Sequence, residues 1–110
     1  MVVHAITKNV KMSAQKMREV TRQIQGLPAL QAQAMLSVTP RKSARFVAKT
    51  LKSAIANAEF NMKANADDLW VAEAAAQTAF TLPRWTPKAR GSAGPVRKRH
   101  CHIKIVLSDE

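Results

Sequence analysis

Apolar and polar positions alternate weakly at the start of the chain, Val2-Val3-His4-Ala5-Ile6, which predicts a short strand. The period then changes. Ala14, Met17, Val20 and Ile24 recur at spacings of three and four, one face of a helix, with Arg18 and Arg22 on the other. Ser13 precedes this run as an N-cap, and Gly26 follows it as a residue able to take the left-handed conformation that ends a helix. Pro28 opens a short second helix through about Ser37, and Thr39-Pro40 repeats the start signal, a capping hydroxyl followed by proline. A third helix is predicted from about Pro40 to Met62, on the stripe Ala44, Val47, Ala48, Leu51, Ala54, Ile55 and Ala58. After the turn-like Asn65-Ala66-Asp67-Asp68 the signals conflict: Leu69-Trp70-Val71 reads as a strand, whereas Glu73-Ala74-Ala75-Ala76-Gln77 has helical propensity. Near the end, Cys101, Ile103, Ile105 and Leu107 alternate with His102, Lys104 and Val106, a half-buried strand. The stretch from Pro83 to Pro95, with three prolines and two glycines, cannot build a core and reads as an extended basic arm or loop.

Charge changes this picture more than composition does. A chain of 110 residues has room for one core, and it contains no apolar run of the ~20 residues that span a bilayer and no signal-peptide pattern at its start. Its 18 Lys and Arg face 7 Asp and Glu, a formal charge of +11. The surplus is segregated. Residues 1 to 58 carry a net +9 with Glu19 as their one acid, residues 59 to 83 a net −3, and residues 84 to 104 a net +7 with no acid at all. Ordinary solvated surfaces interleave the two signs, so two unopposed basic blocks point to a polyanionic partner, nucleic acid first. On the third helix Arg41, Arg45, Lys49 and Lys52 form a second stripe, either a solvated face whose stems cover apolar neighbours or a ridge facing phosphates; the missing acids favour the ridge.

Catalytic chemistry has little to stand on. Glycine occurs only at 26, 91 and 94, so no phosphate-cradling glycine-rich motif exists. Asp67 and Asp68 read as turn formers rather than an acid/base pair. In His100-Cys101-His102 a strand puts the two imidazoles on one face and the thiol on the other, two ligands where zinc wants four. The expected roles are a core-facing thiol and two imidazoles near a phosphate surface; no metal or cofactor is expected. The lone Cys101 excludes an internal disulfide and fits a reducing compartment. Trp85, inside the basic arm, is either an anchor against the prolines or a platform for a nucleobase. Met12, Met17, Met35 and Met62 read as packing. From the basic footprint alone a ribosomal-RNA-binding protein leads, an architectural DNA-binding protein follows, and an RNA-acting enzyme comes last.

Several segments together resemble the L-twenty-two family of large-ribosomal-subunit proteins. They are Ser13-Ala14-Gln15-Lys16 with Arg18, Val20, Ile24 and Gly26; Ser53-Ala54-Ile55-Ala56-Asn57-Ala58-Glu59 with Asn61; Asp67-Asp68-Leu69 with Val71; Arg84-x-x-Pro87-Lys88-Ala89-Arg90-Gly91-x-Ala93; and Lys98-Arg99-x-x-His102-Ile103 with Val106-x-Ser108-Asp109. The resemblance implies an α+β fold, three helices packed on a three-stranded antiparallel sheet with a long protruding β-hairpin. One domain would fill 1–110, with a mainly helical globular body over 1–68, hairpin strands over 69–107 and an extended basic tip at about 83–97. It resolves the conflicting segment: Leu69 to Phe80 would be the outgoing strand and Val96 to Leu107 the returning one, with the midpoint at residue 88. The implied function is a structural constituent of the large subunit, not an enzyme, that supports early assembly. Its partners would be large-subunit ribosomal RNA, neighbouring large-subunit proteins and the nascent peptide passing the hairpin, with no membrane and no homo-oligomer. The body would sit near the exterior of the peptide exit tunnel, in a cytoplasmic or organellar ribosome. The RNA contacts would come from Lys8, Lys11, Ser13, Gln15, Lys16, Arg18, Arg41, Arg45, Lys49, Asn57, Asn61, Arg97, Lys98, Arg99 and His102. The tunnel-lining tip would comprise Arg84, Trp85, Pro87, Lys88, Ala89, Arg90 and Gly91.

Overall fold

The computed structural model describes residues 2–61, 63–87, 89–91 and 93–109. In chain order these form β1 (Val2–Val10), α1 (Ala14–Ile24), α2 (Ala29–Val38), α3 (Lys42–Asn61), a 3-10 turn (Ala66–Asp68), β2 (Trp70–Pro87), a second short turn (Ala89–Gly91) and β3 (Ala93–Ser108). The sheet is antiparallel with the order β1-β3-β2, so the last strand lies in the middle. This is the three-helix, three-strand α+β fold that the resemblance implies.

The apolar faces read from the sequence meet in one core. Met17, Val20 and Ile24 of α1, Val47, Leu51 and Ala54 of α3, and Cys101, Ile103, Ile105 and Leu107 of β3 are all fully buried. The helices cover one face of the sheet, with α1 against β2, and α3 against β1 and β3. Ser13 caps α1 as expected, its Oγ accepting from the Lys16 backbone N–H at 3.4 Å. Gly26 follows α1 at φ +86°, and its N–H donates to the Val71 carbonyl, tying the helix end to β2.

Two local expectations change. The third helix begins at Lys42, not Pro40, and the Thr39 hydroxyl donates back to the Met35 carbonyl at 2.8 Å. Thr39 therefore terminates α2 rather than capping α3. Met62, the expected end of the helix, lies outside the described residues. The alanine-rich segment is strand throughout: Ala74, Ala75 and Ala76 pair with Ile105, Lys104 and Ile103. Its small side chains suit the site, because α1 packs against this strand and Ala74 and Ala76 are buried. Burial against a neighbouring strand outweighs the few tenths of a kcal/mol per residue by which helix propensity favours the alternative.

The hairpin also differs from a loop. β2 and β3 stay paired from Trp70↔Ser108 out to Pro87↔Ala93, so the segment read from composition as an extended basic arm or loop is a two-stranded ribbon. A ribbon has only edges, and the outward-facing positions of an edge tolerate proline. Register shifts at Val71/Glu73 and Thr78/Thr81 each place an extra residue in β2, so the turn centres on Arg90 rather than on residue 88. Arg90 and Gly91 both take positive φ, 62° and 77°, to close it. The ribbon leaves the body: the longest dimension is 61 Å and the radius of gyration 16.9 Å, against ~13 Å for a compact chain of this length.

Candidate nucleic-acid interface

The expected RNA-contacting residues divide into those that the fold brings together and those it leaves apart. Lys11, Ser13, Lys16, Lys42 and Arg99 line one depression at the N-terminal end of α1. Gln15, Arg18, Arg99 and His100, with Ser13, Thr78 and Thr81, line a second beside it. Lys11, Lys98, Arg99 and His100, with Leu82, line a third at the root of the hairpin. Arg99 belongs to all three. Lys42 also joins Arg41 and Arg45 in a fourth depression at the start of α3, with Thr39 and Pro40. The result is a continuous basic surface from α3 across the α1 N-terminus to β3. No acid lies in the first turn of either helix, so neither helix opposes the positive end of its own dipole with a carboxylate of its own first turn.

Other expected contacts lie elsewhere. Lys8 is exposed on β1 and Lys49 on the middle of α3. Asn57 and Asn61 share a face one turn apart, sixteen or more residues along α3 from Arg41, or roughly 24 Å at helical rise. At the tip, Trp85 is 72% exposed, too open for an anchor against the prolines, and Arg90 and Gly91 are exposed. Lys88 and the side chains of Arg84, Pro87, Ala89 and Arg97 lie outside the described residues.

Besides the capping Ser13, three expected contacts already have intramolecular partners. The Arg18 guanidinium Nε donates to the Ala76 carbonyl at 3.0 Å, closing an open backbone acceptor on edge strand β2. Arg41 pairs with Glu19 from α1, so the stripe on α3 is not free of acids in three dimensions. That pair is half exposed and worth at most about 1 kcal/mol, an arrangement a phosphate can displace. His102 is half-buried, and its Nδ1 accepts from the Asn9 backbone N–H at 3.1 Å. Asn9 sits at φ +59° where β1 shifts register, and the imidazole satisfies the N–H which that irregularity takes out of the ladder.

The imidazoles do not behave as a pair. His100 is buried, 7% exposed, with its ring stacked on Phe80 at 4.2 Å between centroids. Spacing missed both this burial and the place of Lys42, because each depends on contacts between distant segments. Cys101 faces the core as expected. Burial pushes its thiol above the ordinary value, and the Arg18 guanidinium opposes this more weakly. A thiol held neutral in the fold but free to ionise when unfolded contributes full stability below the ordinary pKa of ~8.5; that contribution is lost as pH rises above it. Native protein at pH 8 should therefore resist aromatic disulfide reagents until urea unfolds it, and Cys101→Ala should flatten the alkaline decline in stability. Rapid labelling without denaturant would contradict the buried thiol.

Fold and surface together define a class: a small, strongly basic α+β protein whose cations line open depressions beside a projecting ribbon. Among the described residues no three metal-ligating side chains cluster, and no helix is long and apolar enough to cross a membrane. Comparison with known proteins carries this further. The pattern of the family described as Ribosomal protein L22p/L17e matches residues 5–108. A protein of Opitutus terrae named large ribosomal subunit protein uL22 is 50% identical over 99% of this chain and 96% of its own length. Proteins of the same name from Akkermansia muciniphila and Finegoldia magna are 46% and 42% identical, each over at least 97% of both chains. The chain belongs to the ribosomal protein L22p/L17e family. Members of this family are structural constituents of the ribosome, not enzymes.

Proposed function

We propose that this chain is built into the large ribosomal subunit in the cytoplasm by binding large-subunit ribosomal RNA through the face centred on Arg99. The body over 1–68 anchors against several RNA segments and supports early assembly. The hairpin over 69–107 reaches inward to line the peptide exit tunnel beside neighbouring ribosomal proteins, where its tip meets the nascent peptide. The observation that carries this reading is the convergence of Lys11, Lys16, Lys42, Lys98 and Arg99, drawn from three separate segments, on adjoining depressions. Phosphates laid along that face would release counterions, so affinity should fall steeply with salt. The reach of the ribbon supports the second half of the reading, because a chain that only coated RNA would need no arm.

The test is the affinity for a large-subunit ribosomal RNA transcript measured between ~50 and ~200 mM salt. Lys16→Gln and Arg45→Gln should each leave thermal stability unchanged and make the log–log salt slope shallower by about 0.7–0.9. Arg41→Gln should change it less, since Glu19 already occupies that guanidinium in the free chain. Sheared genomic DNA should not compete the protein off a salt-washed large subunit. Equal slopes for wild type and both variants would return the cations to a solvated face.

A further inference from the structure

The depression at the hairpin root differs from the rest of the basic face. Its walls are the cations Lys11, Lys98 and Arg99, the apolar Leu82, and His100. The His100 imidazole is more than nine-tenths buried, and its Nδ1 has no hydrogen-bond partner among the described residues. Native proteins seldom leave a buried polar atom unpaired, because an unmade hydrogen bond forfeits the hydration that the group had in water. Packing does not require a nitrogen here either. The ring stacks at 16° to the half-exposed Phe80, a contact that a phenyl ring would make equally well.

We propose that this depression is a specific subsite for one phosphodiester of RNA, with His100 as a ring N–H donor and Lys11, Lys98 and Arg99 as its cations. The inference rests on the RNA-binding reading above and adds a position to it. Three cations within one depression favour an anion, and a ring N–H adds a directional hydrogen bond to it. A half-turn of the imidazole about its Cβ–Cγ bond exchanges each ring nitrogen with a carbon and keeps the ring plane. The stack on Phe80 therefore survives while an N–H turns toward the phosphate. Leu82 offers an apolar wall for the attached sugar, which a free phosphate ion would leave uncovered. The unpaired Nδ1 is thus a group that finds its partner only in the complex.

His100→Phe separates this proposal from a structural role. It keeps the ring and removes the nitrogens, so the free protein should melt at the same temperature or higher. Affinity for the large-subunit ribosomal RNA transcript should fall about tenfold, the scale of one hydrogen bond to a charged group. Arg99→Gln, which removes a cation from the same depression, should make the salt slope shallower. Full-length protein carrying 15N-labelled histidine supplies a second measurement that needs no variant. A short uridine oligonucleotide should move the His100 ring resonances and leave those of exposed His4 in place. Unchanged RNA affinity in His100→Phe overturns the subsite, as does a loss of stability without a loss of affinity. Inorganic phosphate alone moving the His100 signals as far, at equal phosphate concentration, overturns the assignment to RNA. Wild-type protein showing no salt-dependent affinity for the transcript would instead overturn the underlying RNA-binding reading.

Discussion

Ile105→Ala is expected to lower the stability of the free chain by about 3–5 kcal/mol, one of the largest effects available to a single substitution here. Ile105 is fully buried on the central strand, so its side chain lies under the helices with a neighbouring strand on either side. Its cross-strand partners are Ala5 on β1 and Ala74 on β2. Both are already small and cannot swing into the space that the lost methylenes leave. A cavity that cannot collapse costs more than the transfer of the removed carbons alone. For a chain of this length the melting temperature should drop by roughly 15–25 °C. Val106→Ala, the next residue on the half-buried outer face, should cost about 1 kcal/mol or less. Urea denaturation of the two variants checks the contrast. A similar shift for both would mean that the outer face of the sheet is as tightly packed as the inner one.

The same alanines explain what the sequence conceals. Residues 73 to 77 carry a local signal for helix, and only the strand they pair with supplies the opposing one. That partner, around Ile103 and Ile105, lies some thirty residues away. Local windows contain α1, α3 and the alternation of β3 because each declares its own period. They do not contain a pairing whose hydrophobic half sits on the other strand. The hairpin tip illustrates the reverse case. Its prolines and glycines signal a loop, yet an unsupported ribbon admits them, because half of each strand's backbone groups face outward in any case.

The candidate interface divides along the same line. That Lys11, Lys16, Arg45 and Arg99 belong to a cationic surface follows from the excess of bases over acids in their two segments of the chain. Which cations act together does not follow, because Arg99 reaches Lys11 and Lys42 only through folding. Sequence neighbours also hide partners. Arg18 and Arg41 look equivalent to Lys16 and Arg45, but one holds a strand-edge carbonyl and the other a carboxylate from a different helix. Glu19 is the sole acid of the first 58 residues, and the fold brings it to the start of the basic stripe.

Truncating the ribbon should separate anchoring from reach. Among the described residues the core ends at Ala76 on β2 and at Cys101 on β3, apart from the stacked His100. The described residues farther out therefore contribute little burial to the body. In the observed register Leu82 pairs with Lys98, so an Asn-Gly turn can join them directly and replace residues 83–97. The shortened protein should melt within a few degrees of the full chain, since a lone two-stranded ribbon has almost no stability of its own. Its net charge falls from +11 to +7, because the removed segment holds Arg84, Lys88, Arg90 and Arg97 and no acid. If those four bases contact RNA, the salt slope should become shallower by about three units and affinity near 0.1 M salt should drop on the order of 10²–10³-fold. Incorporation into the large subunit should survive, because Lys11, Lys16, Lys42, Lys98 and Arg99 all remain. Subunits assembled with the shortened chain should differ from wild type in the chemical probing of the tunnel wall and not at the body's contacts. Unfolding on truncation would show that the ribbon braces the body, and an unaltered tunnel would place the arm elsewhere on the subunit.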